Sequence, residues 1–458
     1  DDYIHKAAHI LGKFFDTFSE GELLEYCTAA YKEFCRGLDC EHPEPDTPAQ
    51  VIVIDDYTSV LELWHGPTCA FKDIALQLFP HLLLASAQTE GEARKPLVLV
   101  ATSGDTGKAM LAAFDSVPGT RAVCYYPHGG VSEVQRRMMT TQSGGNVTAV
   151  GVRGDFDDCQ RAVKRIFNDT EAVKAFSDAG YFLCSANSIN LARLLPQVVY
   201  YFTAYLDLVE AEQILVGDRV NFAVPTGNFG DILAGYYAYR MGLPVGKLIL
   251  ASNANDVLVD FMHTGIYDIS DRTLKKTTSP AMDILVSSNL ERLLFEVSGR
   301  DDALIRDRMR RLQEDKVFSV SNAETAALSK LFYAGRVTDE TGAETLKMLF
   351  ENEGYLCDPH TACAVHAMNG YAAESGDEAV TVVISTAHPY KFAADVLKAV
   401  GGRSRPDEGA CMKELVSLSA LEIPDEIALA LRTPERHTDV VDAEGMQGFA
   451  LEFAKDNS

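Results

Sequence analysis

The sequence lacks three features, and each absence excludes a class of protein. None of its 458 residues lies in a run of about 18 consecutive apolar residues, the length that a membrane-spanning helix needs. The longest candidate, residues 74–87, is interrupted by Gln77, Pro80 and His81. Lys and Arg number 41 against 66 Asp and Glu, a net charge of −25, and they form no basic run. The missing apolar run excludes a transmembrane helix. Because such an acidic chain repels polyanions, we also expect no binding to nucleic acids or to anionic membrane surfaces.

The third missing feature is a CxxC pair. The ten cysteines are scattered, several of them within apolar segments, at positions 27, 35, 40, 69, 124, 159, 184, 357, 363 and 411. This usage is typical of reduced thiols in the cytoplasm and not of a disulfide framework. No HExxH motif or Cys/His cluster indicates a metal site, so we expect none. The chain opens at Asp1 and not at Met, and we expect an N-terminal segment to precede it.

What the sequence does contain is an alternation of short apolar segments with longer helical ones. The strand-like segments are residues 97–101, 122–126, 147–152, 220–224, 248–251 and 380–384. The helical patterns between or after them are residues 107–114, 132–141, 159–166, 232–241 and 392–400. This alternation predicts an α/β fold with parallel sheets and flanking helices. Residues 298–354 show helical spacing alone and predict a helical layer without strands.

One glycine-containing turn lies between a predicted strand and a predicted helix. Its residues Gly227, Asn228, Phe229 and Gly230 precede the helix, so their main-chain N–H groups can bind one anion, such as a phosphate. The segment has neither the lysine of a nucleotide P-loop nor GxGxxG spacing. A plain helix cap involving Asp231 explains the same residues, and both interpretations stay open.

A second turn of this kind follows the strand-like segment 97–101. Thr102, Ser103, Asp105 and Thr106 lie there at the start of a helix. Hydroxyl groups and N–H donors that converge at a helix N-terminus suit a carboxylate. An elaborate N-cap is the alternative.

The third candidate is a lysine next to an apolar helix. Lys72 lies between Phe71 and Asp73. A lysine withdrawn from water has a lowered amine pKa and becomes a nucleophile that forms Schiff bases, whereas an ordinary lysine is solvated at the surface. A phosphate site, a carboxylate site and an amine are together what pyridoxal phosphate requires to act on an amino acid.

Seven motifs, in this order along the chain, resemble those of the threonine synthase family. They are residues 65–73, 101–107, 185–193, 225–231, 279–283, 358–361 and 385–389. Threonine synthases are fold type II, tryptophan-synthase-β-like enzymes that use pyridoxal 5′-phosphate. The resemblance therefore implies two parallel-sheet domains. We expect residues 1–96 to hold N-terminal helices and the Schiff-base lysine, residues 97–205 a smaller α/β domain, and residues 206–458 a large cofactor-binding domain with a helical insertion at about 298–354.

The resemblance also implies a role for each matching residue. Lys72 carries the cofactor and moves protons on the substrate, and Asp105 lies beside the 3′ oxygen of the cofactor. Thr386 bonds the pyridine nitrogen, and Gly227, Asn228, Phe229, Gly230 and Asp231 hold the cofactor phosphate. The implied substrate-binding residues are Thr102, Ser103 and Thr106 for the carboxylate, and Asn187, Ser188, Asn190 and Arg193 for the phosphate of O-phosphohomoserine.

The implied reaction converts O-phospho-L-homoserine and water to L-threonine and phosphate. The nearest alternative is a threonine-synthase-like phospho-lyase, which releases 2-oxobutanoate, ammonia and phosphate from the same substrate. A non-catalytic protein that binds a phosphorylated ligand is a third possibility, and Lys72 distinguishes it from the two enzymes. We expect a small-molecule substrate, a cytoplasmic location and a monomer or homodimer.

Overall fold

The computed structural model describes residues 2–31, 34, 47–403, 405 and 407–456. The chain divides into two compact units by its internal contacts. Unit 1 comprises residues 1–48, 64–196 and 423–458, and unit 2 comprises residues 49–63 and 197–422.

Thirteen strands form within the described residues. They are β1 Gln50–Val53, β2 Thr58–Glu62, β3 Lys95–Ala101, β4 Arg121–Pro127, β5 Val147–Arg153, β6 Tyr181–Ser185, β7 Val220–Pro225, β8 Val245–Ser252, β9 Ile266–Asp268, β10 Val317–Ser319, β11 Phe332–Arg336, β12 Thr381–Ser385 and β13 Val440–Asp442.

Twenty α-helices accompany the strands in the same part of the chain, and residues Pro280–Met282 and Pro389–Phe392 form 3-10 helices. The α-helices are α1 Tyr3–Leu11, α2 Glu20–Tyr31, α3 Lys72–Thr89, α4 Asp105–Phe114, α5 Glu133–Thr140, α6 Phe156–Asn168, α7 Thr170–Asp178, α8 Leu191–Leu194, α9 Pro196–Glu210, α10 Gly230–Arg240, α11 Val257–Thr264, α12 Leu290–Val297, α13 Asp302–Glu314, α14 Asn322–Leu331, α15 Asp339–Glu353, α16 Pro359–Ser375, α17 Ala393–Ala399, α18 Glu408–Ser419, α19 Asp425–Arg432 and α20 Met446–Lys455.

Unit 1 is built around a five-stranded parallel sheet in the order β13-β5-β4-β3-β6. Successive side chains of a strand point to opposite faces, so each strand serves two cores. Val98 and Val100 pack with Phe114 of α4 on one side, while Leu97 and Leu99 pack on the other in the cluster that contains Ile166 of α6. Burial on both faces explains why these strands are continuous apolar runs.

Unit 2 is built around a six-stranded sheet in the order β1-β2-β12-β7-β8-β11. Only the pair β1 and β2 is antiparallel in this sheet; β9 and β10 form a separate antiparallel pair. Strands β12 and β7 are parallel neighbours, so their carboxyl ends lie at the same edge of the sheet. Loops that leave this edge are where ligands bind in parallel α/β sheets.

The α/β fold with two parallel sheets and flanking helices is confirmed, but one local expectation is wrong. Residues 298–354 are not purely helical, because they contain β10 and also β11, which pairs with β8. Beyond residue 401, β13 adds a strand to the sheet of unit 1 by pairing with β5.

The division of the chain into three contiguous domains, with borders at residues 96/97 and 205/206, stays a prediction. The compact units are discontinuous in sequence, and a contiguous division does not describe them. Residues 49–63 belong to unit 2, because β2 pairs with β12, whereas residues 423–458 belong to unit 1.

The eight cysteines in the described ranges are free thiols, and all except the half-buried Cys184 are buried. Burial raises the pKa of the Cys27 thiol to about 12, which keeps it protonated and unreactive. Cys35 and Cys40 lie outside the described residues. None of the helices described here is both long and apolar enough to cross a membrane.

Candidate active site

The amine predicted at residue 72 is largely withdrawn from water. Lys72 is the first residue of α3, and its side chain is 12% exposed. Its Nζ lies 3.7 Å from Oδ2 of Asp105 and 4.6 Å from the ring centroid of Phe71. A carboxylate and an aromatic face thus fix the position of the ammonium group. The alternative of an ordinary solvated lysine is therefore wrong.

Asp105 is held between two donors at the start of α4. Its Oδ1 accepts a hydrogen bond from the Gln135 side-chain amide at 3.2 Å, while its Oδ2 faces Lys72. The residue is 9% exposed and belongs to the first helical turn, where the helix dipole stabilises a negative charge. The carboxylate is consequently fixed in orientation next to the candidate nucleophile.

The turn before α4 is shaped by the hydroxyl of Thr102. This oxygen accepts hydrogen bonds from the main-chain N–H groups of Gly104 at 3.0 Å and Gly107 at 2.9 Å. Gly104 has φ +146° and ψ −91°, a conformation that side chains rarely adopt. Because Thr102 is buried and already bonded, the exposed Ser103 and the half-buried Thr106 are better placed to meet a ligand. The N-cap and the anion-binding interpretation are thus compatible here.

The segment 185–193 contains a buried cation. Arg193 in α8 is 4% exposed and donates a hydrogen bond from Nη1 to the carbonyl of Ala186 at 2.7 Å. Burial lowers its pKa to about 10, which still leaves the guanidinium charged at neutral pH. An exposed helix residue, the alternative to a binding role, is not what the structure contains.

The other three candidate residues of that segment, Asn187, Ser188 and Asn190, differ in their burial and hydrogen bonds. Asn190 caps α8: its Oδ1 accepts from Ala192 N–H at 3.0 Å, and its Nδ2 donates to the Ser185 carbonyl at 3.2 Å. Asn187 and Ser188 are half-buried, and the main-chain N–H of Asn187 donates to the Ser185 hydroxyl at 3.2 Å. The side chain of Asn190 therefore shapes the loop that contains Asn187 and Ser188.

In unit 2, the glycine turn after β7 has the geometry of an anion site. Within the described residues, no acceptor pairs with the main-chain N–H groups of Gly227, Asn228, Phe229 or Gly230, which lie at the N-terminus of α10. Phe229 has φ +62°, a strained conformation for an aromatic residue. A Cβ at Gly227 would lie 2.5 Å from the carbonyl oxygen of Ala281, so only glycine fits there. These unpaired donors fit a phosphate group.

The Asp231 carboxylate is held by the hydroxyl groups of two tyrosines in α9. Its Oδ1 accepts hydrogen bonds from the hydroxyls of Tyr200 at 2.6 Å and Tyr201 at 2.8 Å. Burial, followed by the nearby Asp231 charge, raises the pKa of Tyr201 well above its usual value, so the Tyr201 hydroxyl remains a donor. The side chain thus ties the first turn of α10 to α9, whereas the N-cap residue of α10, Phe229, makes no side-chain cap hydrogen bond.

Thr386 lies at the same sheet edge as the glycine turn. It follows β12 directly and is 6% exposed, and the turn follows the neighbouring parallel strand β7. Next to it, the Ser385 hydroxyl accepts a hydrogen bond from Thr361 at 3.1 Å, close to the fully buried Asp358. Residue 386 and the glycine turn therefore share the sheet edge at which ligands bind in parallel α/β folds.

Sequence reasoning missed two residues that contact the glycine turn. Ser287 donates to the Gly227 carbonyl at 2.8 Å, and Asn289 donates to the Asn228 carbonyl through its main-chain N–H and its side-chain amide, both at 3.1 Å. The only sequence signal near them is the motif at residues 279–283, to which no role was assigned. No group of three or more potential metal ligands occurs among the residues that the structure describes.

The comparisons with known proteins agree on one family. A family model described as "Pyridoxal-phosphate dependent enzyme" matches residues 60–387, and one described as "Threonine synthase, C-terminal" matches residues 361–449. The threonine synthase of Pseudomonas aeruginosa is 43% identical over 345 residues, which cover 75% of this chain and 70% of that protein.

Two further matches define the extent of the similarity. The crystal structure of a PLP-bound threonine synthase from Brucella melitensis superposes with a TM-score of 0.86 at 36% identity, covering 100% of this chain and 89% of that one. Human "Threonine synthase-like 1" is 42% identical over 348 residues, which cover 74% of this chain. The chain spans only 46% of the length of that relative.

Proposed function

The chain belongs to the pyridoxal-phosphate dependent enzymes and, among them, to the threonine synthase family, and from that premise we propose that it converts O-phospho-L-homoserine and water to L-threonine and phosphate. Its cofactor is pyridoxal 5′-phosphate. When bound, this cofactor delocalises the electron pair that remains after a substrate carbon loses a proton. The similarity to threonine synthases does not favour the alternative, a phospho-lyase.

The single observation that carries the proposal is the environment of Lys72. A lysine whose side chain is 12% exposed, at the start of a helix and 3.7 Å from a carboxylate, is positioned as a reactive amine. In the proposed reaction Lys72 would hold the cofactor through its aldehyde. The Lys72 Nζ would take the protons that leave Cα and Cβ and return protons to Cγ and Cα, while water supplies the hydroxyl group at Cβ and the proton that the released phosphate carries.

The remaining residues of unit 1 have binding roles in this reaction. Ser103 and Thr106, in the turn shaped by Thr102, bind the substrate carboxylate. Arg193, with Asn187 and Ser188, binds the phosphate that leaves from Cγ, because a planar, permanently charged guanidinium matches a phosphate. Asn190 keeps this loop in place through its cap. Asp105, which orients Lys72, would lie beside the 3′ oxygen of the cofactor.

The residues of unit 2 bind the cofactor without a formal positive charge. The N–H groups of Gly227, Asn228, Phe229 and Gly230 hold its phosphate, assisted by the dipole of α10, and Asp231 fixes that helix. The Thr386 hydroxyl donates to the pyridine nitrogen. A hydroxyl stabilises the unprotonated ring, which is a weaker electron sink than a pyridinium and so limits side reactions.

The test is a product analysis with purified protein, cofactor and O-phospho-L-homoserine. We expect threonine and phosphate in equal amounts. Formation of 2-oxobutanoate and ammonia in place of threonine would show that the protein is a phospho-lyase. Binding of the substrate without any phosphate release would show a binding protein.

We further propose a small-molecule substrate, no nucleic-acid partner, and a monomer or homodimer in the cytoplasm. The net charge of −25 disfavours binding to polyanions. The free thiols among the described cysteines are typical of a reducing compartment. Light scattering during size-exclusion chromatography measures the assembly, and fractionation of cells that express the full-length protein measures its location.

A further inference from the structure

The main-chain carbonyl groups of the glycine turn in unit 2 accept hydrogen bonds from a segment 60 residues further along the chain. This segment, residues 287–289, which we name the backing segment, precedes α12 and touches the turn at two consecutive carbonyl groups. Ser287 bonds the carbonyl of Gly227, and Asn289 bonds that of Asn228. Both donor residues are buried, Ser287 at 7% and Asn289 at 0% exposure, so water does not compete for these bonds.

Fixing a carbonyl also fixes the N–H of the next residue. In a planar trans peptide the C=O of one residue and the N–H of the following residue point in opposite directions. The Ser287 bond to the Gly227 carbonyl therefore directs the Asn228 N–H away from the backing segment. By the same geometry, the two bonds from Asn289 direct the N–H of Phe229.

The backing segment is itself anchored, so it can impose this geometry. The Ser287 N–H donates to the hydroxyl of the buried Tyr267 at 3.0 Å. Arg292 donates to Oδ1 of Asn289 at 2.6 Å, which fixes the amide so that its NH2 group faces the Asn228 carbonyl. The strained φ of +62° at Phe229 persists only if the surroundings over-determine it, and these bonds do so.

We infer that Ser287 and Asn289 are positioning residues that pre-organise the phosphate-binding turn, and that they set the affinity for the phosphate group of the cofactor. The inference rests on the proposed function in one respect, that the turn binds this phosphate. Neither side chain touches the ligand. Their contribution is the orientation of neutral main-chain donors, which would otherwise have to be ordered at the moment of binding.

The test compares two ligands on cofactor-free protein prepared from the holoenzyme: pyridoxal 5′-phosphate and pyridoxal, which lacks the phosphate. In Ser287→Ala we expect about five- to tenfold weaker binding of pyridoxal 5′-phosphate, the size of one lost hydrogen bond, and unchanged binding of pyridoxal. The matched control is Ser329→Ala. Ser329 is an exposed serine of α14 in the same unit whose hydroxyl also donates to a main-chain carbonyl, that of Ala326 at 3.1 Å, and we expect wild-type affinity for both ligands.

The two affinities distinguish positioning from a general structural effect. Equal weakening of both ligands in Ser287→Ala would overturn the inference, as would wild-type affinity for both. If that variant does not fold, the isosteric pair Ser287→Thr and Ser287→Val decides, because only Thr keeps the hydroxyl. A lower preference for the phosphorylated ligand in Val than in Thr supports the inference, and equal preferences overturn it.

The same measurement separates this inference from the proposed function. Wild-type protein that prefers pyridoxal 5′-phosphate to pyridoxal but makes no threonine would refute the reaction and leave the backing segment testable. Wild-type protein without that preference would refute the inference whatever the product analysis shows.

Discussion

The candidate functional groups of the two units differ in charge: we call those of unit 1 the charged half and those of unit 2 the neutral half. In unit 1 the functional groups are charged side chains withdrawn from water: the Lys72 amine faces the Asp105 carboxylate, and Arg193 is a buried guanidinium. In unit 2 the donors are neutral main-chain N–H groups and a threonine hydroxyl, held by other neutral groups. Charged side chains can exchange protons and release a leaving group, whereas oriented N–H groups hold a group that must remain bound.

Substitution of Lys72 is expected to have the largest effect on activity, because it removes the amine that the proposed reaction requires from the charged half. Lys72→Ala should lower the rate of threonine formation by at least about 10²–10⁴-fold, the range that positioned proton transfer contributes. The circular dichroism spectrum should remain unchanged, since the residue does not fill the core. The exposed Lys95 of the same unit offers the control, Lys95→Ala, with wild-type activity. A near-normal rate in Lys72→Ala would refute the assignment.

Substitution of the buried guanidinium tests whether the charged half recognises the leaving group. Arg193→Ala should raise the Kd of O-phospho-L-homoserine about 30-fold or more, the usual result of losing one member of a buried charge contact. The Kd of threonine, which has no phosphate, should change much less. Arg193→Lys keeps the charge without the planar fork and should give an intermediate value. Equal losses for both ligands in Arg193→Ala would show that Arg193 does not contact the phosphate.

A methyl group at the glycine turn tests the neutral half. A Cβ at residue 227 would lie 2.5 Å from the Ala281 carbonyl oxygen, so Gly227→Ala must displace the turn. We expect about tenfold weaker cofactor binding, measured by titration of cofactor-free protein, with little change in the Kd of threonine for the cofactor-saturated variant. Gly342→Ala, whose added Cβ has no neighbour closer than 3.7 Å, is the control in the same unit. Unchanged cofactor affinity in Gly227→Ala would contradict the phosphate assignment.

The contrast between charged and neutral groups applies to the candidate functional groups and not to the units as a whole, because unit 2 also contains a buried charge pair. Arg308 donates to both oxygens of Glu324 at 2.7 Å, and this contact lowers the pKa of Glu324 to about 2. Because the folded-state pKa is depressed, the stabilisation is present above pH 4.5, the ordinary value, and is lost as the pH falls toward 2.

Glu324→Gln should therefore unfold more easily at pH 7, by about 1–3 kcal/mol in the free energy of unfolding, without a change in cofactor affinity. The difference from wild type should shrink between pH 4.5 and 2, because the unfolded carboxylate binds a proton in this range whereas the folded one stays ionised until the pH approaches 2. Urea unfolding at several pH values measures it. A difference that is constant over this range would show that the pair does not stabilise the fold through its charge.

Most of the fold could be predicted from the sequence, because most strands are buried on both faces and form contiguous apolar runs, as in β3 and β4. The exceptions are strands defined by their partners. Strand β11 has five residues with a glycine at position 335, and β13 has three residues; only their pairing with β8 and β5 makes them strands.

The candidate site was predictable where glycine or a reactive side chain marks it, at Lys72 and at the turn 227–230. It was not predictable where common residues act from a distance. Ser287 reaches the turn across 60 residues of sequence, and the hydroxyls of Tyr200 and Tyr201 bond Asp231 from 31 and 30 residues before it. Serine, asparagine and tyrosine carry no local signal of such contacts, which only the folded chain creates.

The central claim is that the amine of Lys72 is the covalent anchor of the cofactor. Borohydride reduction of the holoenzyme, followed by peptide mass mapping, tests it directly, because reduction makes the bond between lysine and cofactor permanent. We predict one phosphopyridoxyl group per chain, on the peptide that contains Lys72. A label on another lysine, such as the fully buried Lys108 of α4, or no label at all, would contradict the account.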